Sequence, residues 1–355
     1  MNEIFRKIFY SALAKIFKNR NVDVPIILKK NNPKILIFRY DKIGDMLVSF
    51  PSFELLRYYF PNAEIWILAS PLNSFLLNNF KAIDKSIILP KGLIKKLQTI
   101  FLLRKERFDV IINYVFYRTT KAALIANLIN PLAYKFNIGH NTRDSIYGKL
   151  FTALFPIASR GKLYMSEFLC KYVCWIFGLT NDHKFLNMYN LFIPESSFVL
   201  AKEFLFKNNL SKTILVNISA RKRWSLENYK MFIRLVREKF SELDLIFVSH
   251  PSDNKLLSRI TEGEEVFTFY QSKDFYDVIA LISMVDIVFS PDTSIVHFAN
   301  AFGKPILMMY SEKDTHLNEW IPNVSKFVGF CSNNEKDYND IEPEKVVESI
   351  GKFLN

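Results

Sequence analysis

The stretch "KILIFRYDKIGDMLVSFPSFELLRYYFP", residues 34–61, decides the fold of the first half of the chain. An apolar run at 35–38 is followed by a polar segment, and apolar residues then return at helical spacing. This pattern predicts a buried strand, a tight loop and a helix. The loop holds two aspartates, a lysine and Gly44, which is one of only ten glycines in the chain.

Gly44 and Asp45 have distinct expected roles in this loop. A glycine lets the backbone turn closely, and a carboxylate is favoured near the N-terminus of a helix. An ionised Asp45 at the end of a strand, facing a cleft, suits a general base. Capping of the helix by the same carboxylate is the alternative.

Strand and helix patterns alternate along the rest of the chain, which predicts parallel sheets with helices on both faces. The alternation relaxes around residues 190–198 and then restarts. We therefore expect an N-terminal extension at 1–30 and two Rossmann-like domains, at 31–195 and 205–355. Two such sheets facing each other leave a ligand-binding cleft at the carboxyl ends of their strands.

The composition limits the class of partner. The chain has 355 residues, 50% of them hydrophobic, and a net charge of +12. A basic protein binds anionic partners, but the sequence contains no RNA-binding or zinc-finger motif, so nucleic-acid binding rests on charge alone. We expect buried thiols at Cys170 and Cys174, and no metal site.

Residues 1–20 form a basic amphipathic pattern, with apolar side chains on one helical face and Lys and Arg on or beside the other. Charges interrupt every apolar run, so we expect neither a signal peptide nor a membrane-spanning helix. Two alternatives remain open. The helix lies in a membrane interface, or it packs against its own domain.

Three strand ends in the second half carry candidate ligand-binding residues. Residues 217–229 place three cations, 221–223, just before a helix, where side chains and helix amides can converge on one anion. Asp253 lies where an acid can hold ribose hydroxyls, with helix capping as the alternative. Asp292 can cap a helix and bond sugar hydroxyls, and the amides of Thr293 and Ser294 form a predicted anion site.

His297, on the same helix, is either a donor-side contact or a structural histidine. The sequence has no Asp-x-Asp motif, no P-loop and no G-x-G-x-x-G fingerprint. Charge neutralisation is therefore expected to fall to Lys222, its arginine neighbours and a helix N-terminus rather than to a metal.

Three ordered blocks resemble the ADP-heptose:lipopolysaccharide heptosyltransferases, glycosyltransferase family 9. They are the stretch at 34–70, "KRWSLENYKMFI" at 222–233 and "ALISMVDIVFSPDTSIVHFANAFGKPILMMYSEKD" at 280–314. The resemblance covers about residues 33–350. It implies the α/β GT-B fold, with the acceptor on the first half, the nucleotide sugar on the second, and inverting, metal-independent transfer without a cofactor.

The resemblance also implies roles for single residues. Asp45 matches the family's general base, Lys222 the lysine on the donor diphosphate, and Asp292 the aspartate on the donor sugar. The remaining donor-side candidates are Ser219, Arg223, Asp253, Thr293, Ser294 and His297, and the acceptor-side candidates are Asp41, Lys42, Arg118 and Arg143. Three positions depart from the family pattern: Ser225 replaces Pro, Asp253 replaces Glu and Ser294 replaces Gly.

The leading hypothesis is a transferase that adds heptose from ADP-heptose to the inner core of lipopolysaccharide or lipooligosaccharide. We expect a cytoplasmic protein. The basic N-terminal helix is compatible with a peripheral position on the cytoplasmic face of the inner membrane. One alternative is a transferase that uses another nucleotide sugar for a cell-surface glycan. Another is a catalytically degenerate protein that only binds a sugar nucleotide or a glycan.

Overall fold

The computed structural model describes residues 3–17, 19, 22–28, 30–116, 119–139, 148–161, 163–180, 183–269, 274–311 and 320–354. The chain divides into two compact units, Met1–Phe192 and Ile193–Asn355. Each unit contains one six-stranded sheet in which every pair of neighbouring strands is parallel. The predicted α/β fold class therefore holds in both units.

The sheet of the first unit has the strand order β3-β2-β1-β4-β5-β6. Its strands are β1 (Lys34–Arg39), β2 (Glu64–Ala69), β3 (Lys85–Ile88), β4 (Val110–Asn113), β5 (Tyr134–Ile138) and β6 (Ala153–Phe155). The helices described in this unit are α1 (Glu3–Phe17), α2 (Ile43–Leu47), α3 (Phe50–Tyr59), α4 (Leu93–Lys105), α5 (Thr119–Ile129) and α6 (Met165–Phe177). The central strands β1 and β4 are buried almost throughout because helices cover both faces of the sheet.

The sheet of the second unit has the order β12-β11-β10-β7-β8-β9, the same arrangement counted from its own first strand. Its strands are β7 (Thr213–Asn217), β8 (Asp244–Val248), β9 (Phe267–Thr268), β10 (Ile287–Pro291), β11 (Ile306–Ser311) and β12 (Phe327–Ser332). The helices described here are α7 (Glu195–Lys207), α8 (Leu226–Lys239), α9 (Asn254–Thr261), α10 (Phe275–Met284), α11 (Ser294–Ala301) and α12 (Pro343–Ile350).

The order in which the chain adds strands reverses beside the first strand of each sheet. The chain proceeds from β1 to β2 and β3 on one side and then returns to place β4 on the other side of β1. The same reversal places β10 beside β7. In open α/β sheets the loops at the carboxyl ends of strands diverge at such a point and leave room for a ligand. A ligand site is therefore expected at the loops after β1, β4, β7 and β10.

Helix α1 packs against its own unit, which was one of the two alternatives for the N-terminal segment. Leu13 and Phe17 contact a small cluster that includes Ala123 of α5 and Phe151. The other side of the helix is exposed, with Ile16 70% accessible. In the part of the chain that the structure describes, no helix is both long and apolar enough to cross a bilayer.

Several elements differ from the sequence-based expectation. Strands β6 and β12 and helix α7 were not predicted. Strand β6 has only three residues, which is too few for a periodic signal. The apolar residues of α7 are spread around the helix, with Phe206 89% exposed, so they give no amphipathic pattern. The loop expected after β1 contains the short helix α2, and a single 3-10 turn, Ser74–Leu77, follows β2.

Gly178 ends α6 in the left-handed conformation, with φ of 66°. A Cβ at this position would lie 3.0 Å from Cγ of Pro25. We expect Gly178→Ala to lower the free energy of unfolding by more than the ~1–2 kcal/mol that a left-handed backbone costs an alanine. Gly263→Ala is the matched control, since φ is +74° and nothing lies within 4 Å. Urea denaturation of both variants tests this. An equal loss of unfolding free energy in the two variants would show that the contact with Pro25 does not contribute.

Candidate functional site

A buried arginine joins the ends of β1 and β4 in the first unit. The Arg39 side chain is fully buried, its Nε donates to the main-chain oxygen of Asp45 at 2.6 Å, and its Nη1 donates to the main-chain oxygen of Tyr114 at 2.5 Å. Nη1 also donates to Oδ2 of Asp41 at 3.0 Å. A buried guanidinium requires such partners, so Arg39 fixes the loop after β1 in place. Sequence analysis missed it, although a charge ending an apolar strand was a usable signal.

Asp45 is the third residue of α2, and its carboxylate closes the N-terminus of that helix. Oδ2 accepts from the main-chain amide of Lys42 at 3.1 Å, as in a capping box. Oδ1 lies 3.8 Å from Nη2 of Arg39 and accepts no hydrogen bond from the described residues. The two roles expected for Asp45 are thus compatible, because capping occupies one carboxylate oxygen and leaves the other available.

Gly44 does not have the backbone role that the sequence suggested. It is the second residue of α2 and therefore has ordinary helical geometry rather than a turn conformation. It is buried, so absence of a side chain is compatible with close packing at this position. The expectation of a glycine-dependent tight turn was wrong because the loop begins a helix earlier than the pattern indicated.

Asp41 is an acid in an unusual environment. Its side chain is one fifth exposed (21%), but Oδ1 is buried and has no hydrogen-bond partner among the described residues. Burial raises the pKa of Asp41 to about 7, with the nearby Asp45 carboxylate adding to the rise and the Arg39 guanidinium opposing it. The Asp41 carboxyl can therefore hold a proton near neutral pH.

Asn73 holds the loop after β1 from the side of β2, and sequence analysis gave no reason to select it. Its side chain is fully buried; Nδ2 donates to the main-chain oxygen of Arg39 at 2.9 Å, and Oδ1 accepts from the amide of Ser70 at 2.8 Å. The Ser70 hydroxyl in turn donates to the main-chain oxygen of Asp41 at 3.0 Å. The loop is therefore held from two neighbouring strands.

Among the acceptor-side candidates, Lys42 is exposed, and Arg118 and Arg143 lie outside the described residues.

An amide side chain joins β7 and β10 in the second unit, at the position equivalent to Arg39. Nδ2 of Asn217 donates to Oγ of Ser290 at 3.0 Å and to Oγ1 of Thr293 at 3.2 Å. Its Oδ1 accepts from the amide of Ser219 at 3.0 Å. Asn217 therefore fixes the loop after β7 relative to the start of α11. Asn217 and Ser290 are both buried and were not among the predicted residues.

The N-terminus of α11 offers unpaired amides. Thr293 is the N-cap, and its hydroxyl accepts from the amide of Ile295 at 3.3 Å. The amides of Thr293 and Ser294 donate to no acceptor in the described part of the chain. Unpaired amides and the dipole at a helix N-terminus favour an anion. Asp292 is exposed just before this turn, and His297 is half-buried with its ring 5.9 Å from that of Trp320.

Asp253 is tied to two other candidates, which the sequence did not indicate. Oδ1 accepts from Nη1 of Arg223 at 2.7 Å, and Oδ2 accepts from Oγ of Ser219 at 2.8 Å. Burial alone would raise the pKa of Asp253, but these two hydrogen bonds outweigh it and hold the pKa below its ordinary value. Asp253 is therefore an ionised acid whose first partner is Arg223.

Lys222 lies between Arg221, which is exposed, and Arg223, which binds Asp253. It is half-buried and has neither a hydrogen bond nor an ion pair with any described residue. Since Arg223 is engaged with Asp253, Lys222 is better placed to meet an incoming anion. Within the described ranges, no group of three or more His, Cys, Asp or Glu side chains could hold a metal ion.

Part of the chain matches a known protein family. Residues 209–350, within the second unit, match glycosyltransferase family 9 (heptosyltransferase). The chain is 25% identical over 359 residues to the Escherichia coli protein named "Putative lipopolysaccharide heptosyltransferase 4", covering 98% of this chain and 94% of that protein. It is 23% identical over 297 residues to the lipopolysaccharide core heptosyltransferase OpsX of Haemophilus influenzae, covering 79% of each.

Comparison with solved structures identifies the fold. A glycosyl transferase family 9 protein from Veillonella parvula superposes with a TM-score of 0.74 at 16% identity, covering 92% of this chain and 99% of that one. The ADP-heptose lps heptosyltransferase II of E. coli superposes with a TM-score of 0.68 at 18% identity, covering 90% and 98%. The predicted GT-B fold class, the resemblance to family 9 and the glycosyltransferase class of enzyme are confirmed.

The raised pKa of Asp41 has a consequence for stability. The folded state keeps a proton that the unfolded chain releases above the ordinary value of 3.8, so the contribution of Asp41 to the free energy of unfolding falls as pH rises toward about 7. Asp41→Asn removes this dependence. We expect the stability of the variant relative to wild type to increase between pH 5 and 8 in urea titrations.

Asp253→Asn is the matched control for this experiment. The pKa of Asp253 is lowered, so its contribution is present above the ordinary value of 3.8 and is lost only below it. The stability difference between Asp253→Asn and wild type should therefore stay constant from pH 5 to 8. A constant difference for Asp41→Asn as well would contradict the raised pKa.

Proposed function

Because residues 209–350 form a glycosyltransferase family 9 domain, we propose that the protein transfers heptose from ADP-heptose to the inner core of lipopolysaccharide or lipooligosaccharide. We further propose that transfer inverts the anomeric centre and needs no metal. The observation that carries the proposal is the Asp45 carboxylate. One of its oxygens is fixed by the Lys42 amide, and the other accepts no hydrogen bond from the described residues.

In this proposal the second unit holds the donor. The amides of Thr293 and Ser294 and the dipole of α11 receive the diphosphate, and the ammonium of Lys222 adds a positive charge. Fixed donors of this kind stabilise the negative charge that develops on a leaving phosphate, which is the work that a metal performs in other transferases. Asp292 is assigned to the hydroxyls of the donor sugar.

The acceptor reacts at the first unit. Asp45 removes the proton from an acceptor hydroxyl as that oxygen attacks the anomeric carbon, the bond from that carbon to the diphosphate oxygen breaks, and ADP leaves. A direct displacement of this kind inverts the configuration of the carbon. Arg39 acts as a positioning residue, since it holds the main-chain oxygen of Asp45 at 2.6 Å and lies near its carboxylate. Asp41, Lys42, Arg118 and Arg143 are proposed acceptor contacts.

A transferase for another nucleotide sugar is the second candidate, and one observation favours it. Both carboxylate oxygens of Asp253 already accept hydrogen bonds, from Arg223 and from Ser219. An acid engaged in this way offers less to the ribose hydroxyls that the family's glutamate is expected to hold. The fold and the role of Asp45 would be the same with either donor. For both candidates we propose a location at the cytoplasmic face of the inner membrane, where a lipid-anchored acceptor is available.

The role of Asp45 is tested by Asp45→Asn, which keeps a capping side chain but removes the base. We expect kcat to fall by about 10²–10⁴-fold, the range that general bases contribute. The stabilisation of the protein by ADP in a thermal shift experiment should be unchanged. ADP release from ADP-heptose in the presence of a truncated core acceptor measures the rate.

Lys222→Met is the matched variant on the donor side. It should reduce the thermal stabilisation by ADP, since the charge on the diphosphate loses its partner, whereas Asp45→Asn should not. Near-wild-type turnover in Asp45→Asn would exclude Asp45 as the base. An unchanged ADP response in Lys222→Met would exclude the proposed diphosphate contact.

A further inference from the structure

We propose that the exposed face of α4 is a membrane-binding surface that holds the first unit on an anionic lipid bilayer. The surface, called the α4 surface below, is formed mainly by apolar and basic side chains, and it also contains the exposed Gln98. Its apolar members are Leu93, Ile94, Leu97, Phe101 and Leu102, and its basic members are Lys91, Lys95, Lys96, Arg104 and Lys105.

The apolar members are unusually exposed for a helix that covers a sheet. Ile94 is 73% exposed, Phe101 61% and Leu102 64%. In α4 only Ile100 and Leu103 are buried, where they join the cluster that also contains residues of α5. The helix therefore contacts its unit by a narrow side and presents most of its large apolar side chains to solvent. A contiguous apolar patch of this kind marks an interaction site.

The exposed apolar residues follow the helical repeat. Leu93, Leu97 and Phe101 are four residues apart, and Ile94 lies beside them. Residues at this spacing lie along one stripe of a helix. The patch is thus a continuous ridge along α4 rather than a scatter of single side chains.

The charges around the ridge indicate an anionic partner. Residues 91–105 contain five cations and no acid. None of the five forms an ion pair with any residue in the described ranges; the Arg104 guanidinium donates instead to the main-chain oxygen of Leu128 at 3.2 Å. A second copy of this chain would oppose these cations with an identical set. An anionic bilayer offers both negative headgroups and an apolar layer beneath them.

Helix α1 of the same unit also exposes apolar side chains. Helix α4 packs on the stripe of α5 that contains Ala122 and Ala126, and α1 packs on the adjacent position, Ala123. The solvent side of α1 exposes Ile8 (65%) and Ile16 (70%). The first unit therefore exposes apolar side chains on a second helix besides α4.

The test is sedimentation of the full-length protein with vesicles, in the absence of any donor or acceptor. Wild-type protein should partition onto vesicles of phosphatidylglycerol and phosphatidylcholine, and less onto phosphatidylcholine alone. Binding should fall as salt is added, since interactions of exposed charges are screened. The variant Ile94→Glu/Phe101→Glu should lose at least about tenfold in partition coefficient, because two apolar contacts become acids facing anionic lipid.

Phe206→Glu is the matched control, because Phe206 is 89% exposed on α7 of the second unit. It should bind vesicles like wild type. Near-ultraviolet circular dichroism establishes that both variants are folded, and light scattering reports their association state. Wild-type vesicle binding by Ile94→Glu/Phe101→Glu, or no wild-type binding at all, would overturn the proposal. A wild-type dimer that the double variant converts to monomer would assign the surface to a second copy instead.

Vesicle binding by the α4 surface does not depend on the proposed transfer reaction. Vesicle binding is measured without substrates, and turnover of a soluble acceptor is measured without vesicles. Loss of binding in Ile94→Glu/Phe101→Glu with turnover retained is the expected pair of results.

Discussion

The parallel pairing of the first strand of each sheet with two neighbours is the constraint on which the rest of the structure depends. It brings the ends of β1 and β4 together in one unit and those of β7 and β10 in the other. One polar side chain joins the two ends in each unit. Arg39 donates to the main-chain oxygen of Tyr114, and Asn217 donates to the hydroxyls of Ser290 and Thr293. The loops that carry the candidate functional residues are fixed by these two contacts.

The two units use this shared geometry with opposite electrostatics. In the first, a buried guanidinium is surrounded by the carboxylates of Asp41 and Asp45, so the loop offers groups that accept protons. In the second, unpaired amides stand at the start of α11, which follows β10. Strand β10 pairs with β7, whose following loop contains Lys222, so this edge of the sheet favours an anion. Glycosyl transfer from a nucleotide sugar requires both functions, a base for the acceptor and charge stabilisation for the departing diphosphate.

The sequence predicted the parts of the structure that depend on local pattern. The central strands were recognisable because they are buried on both faces and read as continuous apolar runs. Strand β6 is too short for such a signal, and the bond between Arg223 and Asp253 joins residues thirty positions apart, which no spacing rule indicates. Capping and general-base roles for Asp45, and anion binding for Lys222, were inferred from their positions at strand ends, and the family resemblance assigned them to the acceptor hydroxyl and the donor diphosphate.

We propose heptosyl transfer from ADP-heptose by base catalysis without a metal. It is tested most directly by mass spectrometry of a heptose-deficient core acceptor after incubation with the protein, ADP-heptose and EDTA. The acceptor should gain one heptosyl residue, and an equal amount of ADP should appear. An unmodified acceptor with ADP-heptose, or a product that forms only when a divalent metal is restored, would contradict it.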